Sequence, residues 1–135
     1  MSSSGLDIEV LGIDMLVPDA PTALEVRELC VLALASAGID EGHMAVEFVD
    51  AERIRMLNLE HRNIDSPTDV LSFGVDEDGD SAGPRELGDI VICPEHTTDL
   101  REAVVHGTLH LTGMDHEVDD GEMLALQAEL MRWVR

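Results

Sequence analysis

Three of the six histidines fall in one eleven-residue window, His106-Gly107-Thr108-Leu109-His110-Leu111-Thr112-Gly113-Met114-Asp115-His116. Imidazole is a common metal ligand, and spacing decides whether several rings can share one ion. On an α-helix each residue advances about 100°, so His106 and His110 project from one face a turn apart. Gly113 can take positive φ and end that helix, which lets the chain double back and bring His116 to the same point. Three imidazoles leave one vertex of a tetrahedron free for solvent. That is the pattern of a catalytic zinc, because a structural site would close the vertex with a fourth protein ligand. One Zn2+ per chain is therefore expected; nickel, copper and iron also accept imidazole, whereas the hard cations want oxygen.

The same offsets occur in the long zinc-protease signature, where the residue after the first His is the Glu that activates water. Here that residue is Gly107. Without a carboxylate the peptide-hydrolysing mechanism lacks its general base, which disfavours a protease. An ion at this place could still lower the pKa of a bound water to about 7, or polarise a carbonyl or phosphoryl oxygen.

The window HGTLHLTGMDH closely resembles the signature of the YbeY family, and two further blocks are similar to that family in the same order: LNLEHRNIDSPTDVLSF at residues 57–73 and GDIVIC at 88–93. The likeness covers about the last 80 residues well and the first 50 in pattern. It implies a bacterial metal-dependent, single-strand-specific endoribonuclease acting in ribosomal RNA maturation and ribosome quality control. Its partners would be single-stranded RNA, ribosomal RNA and ribosomal proteins. The nucleophile would be water activated by the ion, or a ribose 2′-OH.

Arg62 follows the Leu57-Asn58-Leu59 run of the second block. On residue type alone it reads as one more partner for a carboxylate, since exposed ion pairs are common and worth little. The resemblance implies instead a catalytic arginine near the metal. A planar guanidinium can hold two phosphate oxygens and offset the charge that grows on them in the transition state. Asp115, beside the third histidine, could orient a ring or serve as base, although an Asp after a helix end is more often a local backbone acceptor. Ser72 and His61 lie near the matched blocks and could contact substrate; His43 and His96 have no chemistry suggested around them.

Two rival readings stand beside the nuclease. One is a metal-dependent peptide or ester hydrolase, supported by the histidine spacing and weakened by Gly107. The other is a non-catalytic ribosome-assembly factor in which zinc staples a small fold.

Charge opposes RNA binding on its face. Eight basic residues, all arginine, stand against 29 acidic ones for a formal charge of −21. Phosphate contacts normally supply much of the affinity for nucleic acid. Either Arg53, Arg55, Arg62 and Arg85 gather at the cleft while the acidic surface faces away, or the ribosome or a partner brings the chain to RNA. With Phe48, Phe73 and Trp133 the only aromatic residues, base stacking on exposed rings is not expected to carry affinity.

The elements that must position these residues follow from periodicity and breakers. A first strand is expected over 6–14, a helix over 22–37 closed by Gly38, a second strand over 45–50, and a short helix capped by Asp50 and running to Glu60. A third strand over 69–75, an acidic turn-rich loop over 76–85 and a fourth strand over 88–93 stopped by Pro94 come next. The histidine helix then spans 98–112 and a last amphipathic helix 121–134. Cys30 and Cys93, without a CxxC spacing, read as buried small hydrophobes. Only twelve residues separate Cys93 from His106, which is short for the family and trims one side of the cleft.

The 135 residues form one expected domain of the α+β class, 1–135, with a small four-stranded mixed sheet, about four helices and the metal-binding helix at the centre. No apolar run nears the ~20 residues of a membrane span. The opening MSSSGLD lacks the basic start and apolar core of an export signal, so a cytoplasmic protein is expected.

Overall fold

The computed structural model describes residues 5–15, 20–74, 86–115 and 118–134. Four strands, β1 (Leu6–Leu11), β2 (Gly42–Phe48), β3 (Val70–Gly74) and β4 (Glu86–Ile92), form one mixed sheet in the order β1-β2-β4-β3. β1 with β2 and β2 with β4 are parallel, and β3 closes the edge antiparallel to β4. Helices α1 (Ala23–Ser36), α2 (Ala51–Arg62), α3 (Leu100–Leu111) and α4 (Glu122–Met131) complete the α+β architecture.

Alternation along the strands divides the interior into two parts. Met44, Val46 and Phe48 of β2 and Ile90 and Ile92 of β4 turn to the face covered by α1, α3 and α4, and there build the larger core with Val26, Leu34, Val104, Leu109 and Met123. Leu71 of β3 and Val91 of β4, with Val49 and Cys93, turn to the other face and pack under Ile54 and Leu57 of α2. Helix α3 touches α1, α4, β3 and β4, so it lies at the centre of the larger layer.

Side-chain caps fix the helix starts. Thr22 accepts from the backbone N–H of Glu25, Asp50 from Arg53 and Asp99 from Glu102. Each satisfies a donor that the first turn leaves without an intrahelical partner. Asp119 does the same for α4 by accepting from Gly121 and Met123.

Several ends differ from the periodicity. β1 stops at Leu11 rather than reaching 14, because Gly12 takes a φ of 75° and the chain enters a 3-10 turn at Ile13–Met15. β2 begins three residues early, at Gly42, since its outward positions include the polar His43. α2 continues past Glu60 to Arg62 and ends where Asn63 adopts the left-handed conformation, φ 61°. The loop expected over 76–85 lies outside the described residues.

Candidate active site

Helix α3 is buried along much of its length, through Ala103, Val104, Val105, Gly107, Thr108 and Leu109. His106 and His110 are half-buried, on a face of the helix that opens to a cleft. Their ring centroids are 4.8 Å apart and their planes cross at 80°. The i, i+4 spacing therefore brings the two rings together as the sequence led one to expect. His116 lies outside the described residues.

The end of α3 shapes the second ring. Gly113, at φ 103°, donates to the carbonyl of His110, and Met114 donates to that of Leu109, the paired bonds of a Schellman turn. This reversal brings the Met114 carbonyl oxygen to 3.0 Å from His110 Nδ1. His106 Nδ1 faces a different acceptor, Gln127 Oε1 of α4, at 2.7 Å. A ring that donates from Nδ1 keeps its lone pair on Nε2, the form in which imidazole binds a transition metal. The two rings are compatible with ligation through Nε2, although no third His, Cys, Asp or Glu joins them in a metal-sized cluster among the described residues.

The cleft has a volume of about 550 Å³ and is lined by His106 and His110 from α3, Arg62 from the end of α2, residues 68–72 entering and forming β3, and Asp115 beyond α3. Arg62 comes from the opposite layer and reaches the same space over the edge of the sheet. Its place on the last turn of α2 also sets its cation against the negative end of the helix dipole. The loop behind it is pinned by buried Asn58, whose side-chain amide donates to the Ser66 carbonyl at 2.9 Å and whose backbone oxygen accepts from Ile64.

The remaining candidates divide. Ser72 lines the cleft, but its hydroxyl donates to the Gly107 carbonyl at 3.1 Å and so ties β3 to α3. Asp115 is an exposed residue of the cleft mouth, and its backbone oxygen accepts from Val118 and Asp119. His61 packs its ring 4.8 Å from that of Phe73. His96 lines an adjoining groove beside Asp69, Asp99, Glu102 and His106. His43 sits on the outer face of the sheet between Glu9 and Glu86, whose carboxylates push its pKa up. Cys30 and Cys93 are buried and unpaired with each other. Burial pushes the Cys30 thiol up to about 12, so it is no nucleophile.

The gathering of arginines at the cleft is limited. Of Arg53, Arg55 and Arg62, the described cleft is lined by Arg62. Arg55 is held by Glu52 one turn earlier and by Asp65. Arg85 lies outside the described residues. Gln127 was not legible beforehand, because its contact with His106 spans 21 residues. The available signal was a polar residue between Met123 and Met131 on the packed stripe of α4.

A family model described as endoribonuclease YbeY matches residues 17–135. A protein named endoribonuclease YbeY from Rubrobacter xylanophilus is 44% identical over 135 residues, covering 94% of this chain and 92% of the relative. One of the same name from Azorhizobium caulinodans is 39% identical, covering 90% and 91%. The solution structure of a Thermotoga maritima protein superposes with a TM-score of 0.56 at 28% identity, covering 94% of this chain and 88% of that one.

Proposed function

The chain belongs to the YbeY endoribonuclease family, and from that premise we propose that it cuts single-stranded RNA at a zinc centre held by His106, His110 and His116, with Arg62 on the scissile phosphate, in the maturation and quality control of ribosomal RNA. The observation that carries this reading is the meeting of His106, His110 and Arg62, from two layers of the fold, on one cleft.

Zinc, when bound, supplies a positive charge that polarises a phosphoryl oxygen and makes a bound water acidic near neutral pH. The chain supplies the rest. His106 and His110 would hold the ion through Nε2, since each has an oxygen acceptor within hydrogen-bond distance of Nδ1. The Arg62 guanidinium grips two non-bridging oxygens and offsets their growing charge as phosphorus becomes five-coordinate. Asp115, on the cleft lining, is a carboxylate able to take the proton of the attacking water or 2′-OH. A net charge of −21 repels free RNA, so a basic ribosomal protein or the ribosome itself brings the two together.

The test is incubation of the purified protein with single-stranded RNA, casein and bis-p-nitrophenyl phosphodiester, each with and without a chelator. RNA is cut, chelation stops the cutting, casein stays intact, and a His110→Ala control is inactive. Intact RNA together with a protein that melts on chelation would establish the assembly-factor reading instead.

A further inference from the structure

Helix α4 packs through a stripe at i, i+4 spacing, Met123–Gln127–Met131, in which Met123 is fully buried and Met131 nearly so. Gln127 between them is half-buried and borders the groove beside His106, and an amide that has lost part of its water there is best placed when it is hydrogen-bonded. Gln127 meets that condition through one described bond, from Oε1 to His106 Nδ1 at 2.7 Å. The bond joins α4 to the centre of α3.

We propose that Gln127 is a positioning residue for His106: its amide oxygen accepts the Nδ1 proton, holds the ring in the Nδ1–H tautomer and turns the Nε2 lone pair into the cleft. Its purpose rests on the zinc reading above, whereas its hold on the ring does not. The neighbouring ring shows why a side chain is needed. His110 finds a backbone carbonyl, that of Met114, because the helix end delivers one. His106 lies a full turn earlier, where the carbonyls of α3 are committed to the helix, and its acceptor must come from another element. A neutral amide suits this place. A carboxylate there would make the ligand more basic and the ion less electrophilic, on a chain already at −21.

The variants Gln127→Met, of equal length without an acceptor, and Gln127→Glu, which keeps one, separate this role from packing. Nitrogen NMR of the histidine rings in the metal-free full chain, at a pH where the rings are neutral, reads the tautomer directly. Competition with a chelator reads zinc affinity. In Gln127→Met the Nδ1–H form of His106 loses its predominance and zinc binds about 10- to 100-fold more weakly, while the metal-free chain melts no earlier. Gln127→Glu restores both. An unchanged tautomer in Gln127→Met, or zinc affinity within twofold of the parent, overturns the proposal. Should Gln127→Met fail to fold, the parent protein decides alone, since a His106 protonated on Nε2 is incompatible with the bond. A parent that shows the Nδ1–H form yet binds no zinc would remove the metal centre and leave the positioning intact.

Discussion

Gly107 of α3 lies flush against Ile90 of β4, so close that a Cβ added to the glycine would come within 2.7 Å of Ile90 Cγ2. The position that carries a general base in the zinc proteases therefore points into the core here, not into the cleft. Gly107→Ala forces α3 off the sheet and is expected to cost about 1–3 kcal/mol, read as a lower urea midpoint. Gly107→Glu yields poorly folded protein and no casein hydrolysis; a well-folded, casein-cleaving variant would refute this packing argument.

Arg62 approaches the cleft from the layer opposite the histidines. Arg62→Ala should lower RNA turnover by about 10²–10³-fold, as loss of an electrostatic stabiliser does, with zinc content by elemental analysis unchanged. Arg62→Lys should recover little, because an ammonium cannot hold two oxygens in the planar fork. Full activity in the lysine variant would reduce the role to simple charge.

His43 sits across three strands, with Nδ1 2.6 Å from Glu86 Oε2 and Nε2 3.3 Å from Glu9 Oε1, and Asp7 adds to the negative field. The Glu86 hydrogen bond is the main cause of its raised pKa. A cationic group raised above its unfolded value stabilises fully below about pH 6.5. That increment fades as pH climbs through the higher folded pKa. Both carboxylates are about half exposed, so the effect stays below about 1 kcal/mol. The melting temperatures of the parent and of His43→Gln should differ at pH 6 and converge near pH 9; a gap that widens with pH would contradict the pairing.

Glu25 of α1 accepts two bonds from Arg101 of α3, at 2.6 and 3.1 Å, and the Arg101 guanidinium holds its carboxyl below the usual value. The sign is opposite to that of His43. The stabilisation is present above the unfolded carboxyl pKa and is lost as pH falls through the folded one. Glu25→Gln should lower the melting temperature at neutral pH, by no more than the partial exposure of the pair allows, and the loss should shrink steadily as the solution is acidified below the ordinary carboxylate range. A loss that stays constant down the acid range would assign the effect to packing.

How much of this could be read in the chain depends on the distance over which each feature is encoded. The pairing of His106 with His110 is one helical turn and the cap at Asp50 is three residues wide, so local pattern revealed the rings and, with periodicity, placed the starts of the first three helices within a residue or two. Element ends depended on contacts from afar. The run from 6 to 14 breaks at Gly12, which lies against the Phe48 carbonyl. Arg55 was a candidate for the cleft, yet Glu52 at i−3 captures it. The parallel order of β1, β2 and β4 and the acceptor at Gln127 join residues tens of positions apart, and no spacing announces them.

β3 has the larger layer on one face, through Val70 and Ser72, and α2 on the other, through Leu71 and Phe73. Among the described residues it pairs with a single neighbour, β4. β3 is thus an edge strand, as β1 is at the other side, and it forms the part of the cleft wall that lies between Arg62 and the two described histidines. Local opening of that edge would part the two walls of the cleft without unfolding the core beneath α1, α3 and α4.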